Sequence, residues 1–384
     1  MIAAWLLPEA IEDILPPYAR AAEDLRRRLL DLFDAHGYDL VCPPMVEYLE
    51  SLLTGAAGDL DLQTYKVVDA SSGRLMGLRA DITPQACRID AHLLNRHGVT
   101  RLCYAGPVLH TRSSGFHTSR EPFQIGAELF GHAGMEADRE ILALLLSSLA
   151  LAAIPDARVS LGHVGLFREL AHSAGLAAQG TEALFAALKI KDVPEVVRLT
   201  DATPDPWRTA LRALPDLYGG PEILRRAADV LPPTHAVRAA LGELERLMQL
   251  ENGIPVSLDL SDLRGFAYHN GVTFAAYAGG QARAVALGGR YDGSGAVFGR
   301  SRPATGFSLD LRQILGCQPE PVIRNGILAP CNNDAALLAL ITELRAGGER
   351  VLVELPGQEQ HRHEAGCDRV LQREAAGWQI KPIT

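Results

Sequence analysis

The sequence predicts an α+β fold: one antiparallel sheet flanked by helices, a helical insertion, and a small C-terminal α/β domain. Three observations carry this expectation. Strand-like alternation runs from Pro255 to Leu260, where Val256, Leu258 and Leu260 alternate with Ser257 and Asp259, and returns at Val272, Phe274 and Ala276. Before those strands, residues 166–253 are rich in Ala and Leu, broken by Pro and Gly, and free of obvious chemistry, which reads as a helical insertion. After them, residues 325–384 run strand, helix Ala335 to Ala346, strand Val351 to Leu355, then Val370-Leu371 and Trp378 to Ile383. The core is expected over 1–165 and 254–318.

In chain order, Leu7 to Pro17 is a proline-punctuated, extended lead-in. Tyr18 to His36 is a helix with Leu25, Leu29, Leu30 and Phe33 on one face, ended by Gly37. Tyr38 to Glu47 is a strand interrupted by Pro43-Pro44. Proline cannot donate to a ladder, so this strand belongs at an edge or an interface, and with the preceding helix it makes a dimer element. Gln63 to Arg74 is a hairpin turning at Ser71-Ser72-Gly73, with Leu75 to Arg79 returning. Asp81 and Thr83 stand between that strand and a helix from Gln85 to Arg96, where they can grip an ammonium group or cap the helix. Tyr104 to Glu128 reads as two strands around a loop carrying His110, Arg112, His117 and Arg120, a composition suited either to an anion or to a solvated hairpin tip. Gln124 and Glu128 lie four apart and share a strand face. Glu136 to Ala153 is a buried apolar helix stopped before Pro155.

With 384 residues, 47% hydrophobic and 22% charged, the chain has the composition of a globular protein of two or three domains. It carries neither a secretory leader pattern nor a long unbroken apolar run, so a cytoplasmic location and no membrane are expected. The six cysteines are scattered without a C-x-x-C, which argues against a metal site or a disulfide framework and for buried free thiols. A net charge of −9 disfavours nucleic acid, whose phosphates select basic faces.

Polar clusters recur along the later strands: Asp262 to Tyr277, Leu287 to Gly293, and Thr305 to Ile314. Three on successive strands of one sheet point to a pocket. The ordered set L-R-A-D-I-T, G-P-V-L…F-Q-I-G-A-E, D-L-R-G-F-A-Y, G-G-R-Y-D-G and T-G-F-S-L-D-L resembles the catalytic core of histidyl-tRNA synthetase, from about Leu6 to Leu315. The resemblance implies a class II aminoacyl-tRNA synthetase-like fold that dimerises through its first motif. It also implies a histidine site made by Asp81, Thr83, Gln124, Glu128, Arg264, Tyr268, His269 and Tyr291, completed by the Gly288-Gly289-Arg290-Tyr291 turn. Carboxylates suit the ammonium, a guanidinium suits the α-carboxylate, and Glu128 or Tyr268 can orient an imidazole.

The departures cluster where ATP would bind. The arginine expected after G-P-x-x is His110, and the acidic residue two places on is Arg112. In the third motif the arginine place holds Gln313, beside Arg312. The Asp and second Tyr after R-G-x are Ala267 and His269. A kept histidine pocket, an altered activation site and a short tail resemble the regulatory subunits of ATP phosphoribosyltransferase, a paralogous family. That resemblance implies a chain without catalytic residues, cofactor or metal. Its expected partners are a short-form ATP phosphoribosyltransferase catalytic subunit and free histidine as effector, in a hetero-octamer of four regulatory and four catalytic chains, with no tRNA. The place implied is the first step of histidine biosynthesis. The alternatives are a compact, active histidyl-tRNA synthetase and a different enzyme on the same fold, such as an amide-forming ligase.

Overall fold

A computed structural model describes residues 5–53, 58–113, 119–250, 253–263, 268–281 and 283–383. The stripe Leu25, Leu29 and Phe33 makes α1 (Tyr18–Ala35) an amphipathic helix that buries this face, and Gly37 at φ +80° turns the chain out of it. Pro43-Pro44 then divides what the sequence offers as one strand. Its first half is β1 (Asp39–Leu40), and its second is β2 (Val46–Tyr48), which joins a different sheet. Both are edge strands, as missing proline donors require. Helices α2 (Leu49–Leu53) and α3 (Gly58–Gln63) lead to the hairpin β3 (Tyr65–Val68) and β4 (Leu75–Leu78), which pairs with β2 in the order β2-β4-β3. Next, α4 (Thr83–Arg88) runs into a π-helical turn, Ile89–Leu94, closed by left-handed Asn95 at φ +45°.

The main sheet is assembled from β5 (Thr100–Pro107) and β6 (Phe123–Phe130), then, after α5 (Met135–Leu151), β7 (Arg158–His163). The segment expected to be helical holds α6 (Val164–Ser173), α7 (Ala178–Lys189), α8 (Val193–Leu199) and α9 (Trp207–Ala213). It continues with β8 (Tyr218–Gly219), α10 (Glu222–Val230) and α11 (His235–Met248), so it is not wholly helical. β9 (Val256–Asp259), β10 (Val272–Tyr277), β11 (Ala284–Arg290), β12 (Ala304–Asp310) and α12 (Leu311–Cys317) follow.

Nine strands pair in the order β1-β5-β6-β12-β11-β10-β7-β9-β8, and β8 extends the sheet from within the insertion. Pairing is antiparallel except for β1 with β5 and β7 with β9. Leu144, Leu145, Ile141 and Leu149 of α5 are fully buried with Phe33 of α1 and Leu211 of α9 in one core, so the insertion packs as part of the same unit. That unit ends at Pro319.

The second unit, from Glu320, has its own sheet of β13 (Gly326–Ala329), β14 (Val351–Val353), β15 (Cys367–Glu374) and β16 (Gly377–Pro382), with α13 (Ala335–Ala346) between β13 and β14. The order is β14-β13-β15-β16, and only β16 is antiparallel. Its small core joins Ile327, Ala329, Leu337, Ile341, Val351 and Leu371. Asp334 caps α13 by accepting from Ala336 N at 2.8 Å and also takes the Trp378 indole N–H at 3.2 Å.

No helix among the described residues is long and apolar enough to cross a membrane. The cysteines are free, but they are not uniformly buried: Cys87 and Cys103 are, while Cys42 and Cys331 are exposed.

Candidate functional site

The centre of the main sheet supplies the site. Strand period places Gln124 and Glu128 on one face of β6, and the register sets Glu128 opposite Gly306 of β12. A Cβ at Gly306 would lie 1.6 Å from Glu128 Oε2, so the glycine leaves the space the carboxylate occupies. On the other side of β6, Tyr104 of β5 stands opposite Gly126, whose missing side chain again makes room, for the phenol.

Glu128 is 1% exposed and accepts three hydroxyl bonds, from Thr83 Oγ1 at 2.9 Å, from Tyr104 OH at 3.0 Å, and from Tyr291 OH. Loss of water pushes its carboxyl up to about 8, further than the three donors pull it down. Burial, helped by the Glu128 charge, also holds the Tyr104 and Tyr291 phenols well above their ordinary range. Tyr268 stacks on Tyr291 with centroids 4.8 Å apart, and its hydroxyl lies 3.9 Å from the buried thiol of Cys87.

These groups border a cavity of about 270 Å³, just under the ~300–1,000 Å³ of sites for drug-sized ligands. Seven of the eight residues expected at a histidine site line it: Asp81, Thr83, Gln124, Glu128, Tyr268, His269 and Tyr291. Arg264 lies outside the described residues, as do His117 and Ala267. Thr83 does not cap its helix. Its hydroxyl goes to Glu128, while Asp81 Oδ1 accepts from Thr83 N at 3.2 Å in a tight local turn. Gln124 Oε1 accepts from Ile82 N at 3.0 Å, which fixes the Asp81–Thr83 corner to β6.

The expected Gly288 to Tyr291 turn is different. Gly288, Gly289 and Arg290 are the end of β11, and Arg290 does not line the cavity. Its guanidinium pairs with Asp138 of α5 at 2.7 Å and with Asp292, two residues on, at 3.1 Å. Phe307 and Ser308 of β12, within the Thr305 to Ile314 cluster, also line the cavity, while Leu60 and Gln63 of α3 are lining residues that the sequence reading missed. Tyr104 gave a signal, standing opposite a strand glycine, but only the register reveals it.

Of the loop and motif positions suited to phosphate, His110, Arg120, Arg312 and Gln313 are otherwise engaged. His110 lines the cavity and donates Nε2–H to Ala80 O at 2.9 Å. Arg112 is exposed. Arg120 donates to His110 O at 3.2 Å and Glu9 O at 3.4 Å. Arg312 pairs with Glu121 at 2.9 Å and donates to Glu12 O, while Gln313 turns back to Asp310 at 3.0 Å. No cluster of metal-ligating side chains occurs among the described residues.

Comparison with known proteins places this geometry. Residues 10–314 match the family model described as histidyl-tRNA synthetase, and 324–381 match the one described as the ATP phosphoribosyltransferase subunit HisZ C-terminal domain. An ATP phosphoribosyltransferase regulatory subunit of Cupriavidus taiwanensis is 56% identical over 98% of this chain and 99% of its own. One from an Azoarcus species is 53% identical over 99% of each. Among solved structures, an ATP phosphoribosyltransferase regulatory subunit/histidyl-tRNA synthetase from Bacillus halodurans superposes with a TM-score of 0.85 at 25% identity, covering 96% of this chain and 98% of that one. Histidyl-tRNA synthetase from a Nostoc species shares the fold at 17% identity, with a TM-score of 0.79 over 98% of this chain and 94% of its own.

Proposed function

This chain belongs to the family of ATP phosphoribosyltransferase regulatory subunits, and from that membership we propose that it is a histidine sensor for the first step of histidine biosynthesis. It is a non-catalytic paralogue of histidyl-tRNA synthetase. Its partner is a short-form ATP phosphoribosyltransferase catalytic subunit, which it activates by assembly and inhibits when histidine fills the cavity. Assembly runs through a homodimer of the synthetase-like core to a hetero-octamer in the cytoplasm, without tRNA. The core over 1–165 and 254–318, the insertion 166–253 and the tail 325–384 are its working parts.

The observation that carries the reading is one cavity lined by two acids, Asp81 and Glu128, both hydrogen-bonded to Thr83, with no arginine among the described residues that line it. In this site Asp81 takes the ligand's ammonium, as an anion facing a cation in a partly dry pocket does. Glu128, held in place by Thr83, Tyr104 and Tyr291, meets the imidazole, and Tyr268 and His269 border the same space. Arg264 takes the α-carboxylate. A triphosphate needs several free cationic donors to spread its charge. Arg120 and Arg312 have their guanidinium groups on main-chain oxygens or Glu121 and do not line the cavity, whose described lining therefore suits an amino acid better than a nucleotide.

The test is calorimetric titration of the purified chain with histidine, alongside the Arg264→Ala variant. Saturable one-site binding that weakens at least tenfold in the variant is expected. Absence of binding by the unsubstituted chain, or unchanged affinity in the variant, overturns the site.

A further inference from the structure

The turn that carries Tyr268 and His269 is stapled on two sides. Toward the sheet, Asn270 exchanges two side-chain bonds with the Asp292 backbone, both at 3.1 Å. Toward the insertion, Gly271 O accepts from Val164 N at 2.9 Å and His269 O accepts from Arg168 at 3.1 Å, both on α6. The approach is close: a Cβ on Gly165 would come within 3.1 Å of Asn270 O. Displacement of this turn therefore moves the start of α6.

His163 stands at that start with both ring nitrogens in use. Its Nδ1 accepts from Leu166 N at 3.2 Å as the helix cap, which leaves Nε2 carrying the proton donated to Glu243 of α11 at 3.1 Å. His163 is 7% exposed, so its ring depends on these two partners more than on water. Glu243 is drawn down in pKa first by this bond and further, against desolvation, by the Arg290 charge. On either side of Glu243 in α11, Gly242 and Glu245 line an open groove shared with Leu224 and Arg225 of α10.

We propose that His163 and Glu243 are positioning residues that carry occupancy of the cavity from the Tyr268–His269 turn through α6 to α11. This rests on the histidine-site reading above and deepens it by naming the regulation of that same site. A ligand that draws in Tyr268 and His269 pulls on Arg168 and Val164 through carbonyls 269 and 271. His163 passes that shift to α11 because its cap bond fixes it to α6 and its Nε2–H fixes it to Glu243. Coupling of this kind requires an element that joins the two ends of the relay, and α6 is in contact with both the turn and α11.

The experiment compares Glu243→Leu, which removes the acceptor, with Glu243→Gln, which keeps an acceptor oxygen, and with Arg168→Met on the other side of α6. Each is measured for histidine affinity by calorimetry as the purified chain, and for histidine inhibition of phosphoribosyl transfer in the reconstituted complex. Amide exchange along α11 is followed with and without histidine. Glu243→Leu and Arg168→Met are expected to bind histidine within about twofold of the parent. Their half-inhibitory concentration should rise about tenfold or more, inside the usual span of coupling factors. Histidine-dependent protection of α11 should vanish in both, and Glu243→Gln should restore both readouts. Parent-like inhibition and α11 protection in Glu243→Leu and Arg168→Met overturn the relay while leaving the site intact. Failure of the parent chain to bind histidine overturns both.

Discussion

Glu128 gives the site a pH signature that can be worked through. Its buried carboxyl titrates near 8, so the unliganded protein carries it protonated at neutral pH. A free imidazole titrates near ~6.5. Between those values, a carboxylic acid meeting a neutral imidazole is the same proton count as a carboxylate meeting an imidazolium. Histidine then binds without net proton exchange at this pair. Below ~6.5 the ligand brings a second proton that must leave, and on the alkaline side of Glu128's own titration one must be taken up. Each limb costs ~1.4 kcal/mol, a factor of ten in Kd, per pH unit. Calorimetry from acid to alkaline pH, in two buffers of different ionisation enthalpy, should find an affinity plateau with no buffer dependence between the limbs. Glu128→Gln should weaken binding by ~1.5–3 kcal/mol, the worth of a hydrogen bond to a charged group. The variant should also lose the part of the alkaline limb that belongs to the protein, leaving only the ligand's own ammonium titration. A variant whose pH profile overlays the parent's would refute the assignment of Glu128 to the imidazole.

Four further outcomes follow from the same contacts. Glu128 rises from its ordinary 4.5 to about 8 on folding, so the native state binds the extra proton and is favoured fully below the lower value. Unliganded parent protein should therefore lose ~1.4 kcal/mol per pH unit relative to Glu128→Gln between those limits, read from urea unfolding at several pH values. Gly306→Ala drives a methyl into Glu128 Oε2 and Ala127 O, and overpacking of this kind costs ~1–3 kcal/mol; thermal unfolding and histidine titration should both register it. Arg290→Met strands the buried Asp138 carboxylate and should cost ~3–5 kcal/mol in urea unfolding. The isolated chain should show no histidine-dependent ATP–pyrophosphate exchange, and His110→Arg should not create it, because Arg312 stays paired with Glu121.

Much of this was legible in the residues. Leu25, Leu29 and Phe33 announce α1, the Ser71 to Gly73 turn announces β3 and β4, and the spacing of Gln124 and Glu128 puts them on one strand face. Periodicity is a local property, and these are local facts. Pairing across the sheet is not local. The proline pair shows that Tyr38 to Glu47 is interrupted, but not that β1 and β2 enter different sheets. Two residues, Tyr218 and Gly219, are too short a run to stand out among helices, yet β9 gives them a partner and makes them β8. The glycines of β11 look like a turn because glycine is common there; in the structure Gly288 is crowded by Phe274 and the β12 backbone, and Gly289 by the β10 backbone and His269. Thr83 was open between cap and ligand contact, and its destination on Glu128 depends on a strand 45 residues away. Ion pairs decide the arginines: Arg312 beside Gln313 looks able to serve phosphate until Glu121 claims it.

The most direct measurement is phosphoribosyl transfer from phosphoribosyl pyrophosphate to ATP by a short-form catalytic subunit, alone, with this chain, and with this chain titrated with histidine. Activity that appears only with the chain and falls away as histidine saturates the cavity, but persists with Arg264→Ala, is what the account predicts. A catalytic subunit equally active alone, or inhibition undiminished by Arg264→Ala and Glu128→Gln, would contradict it.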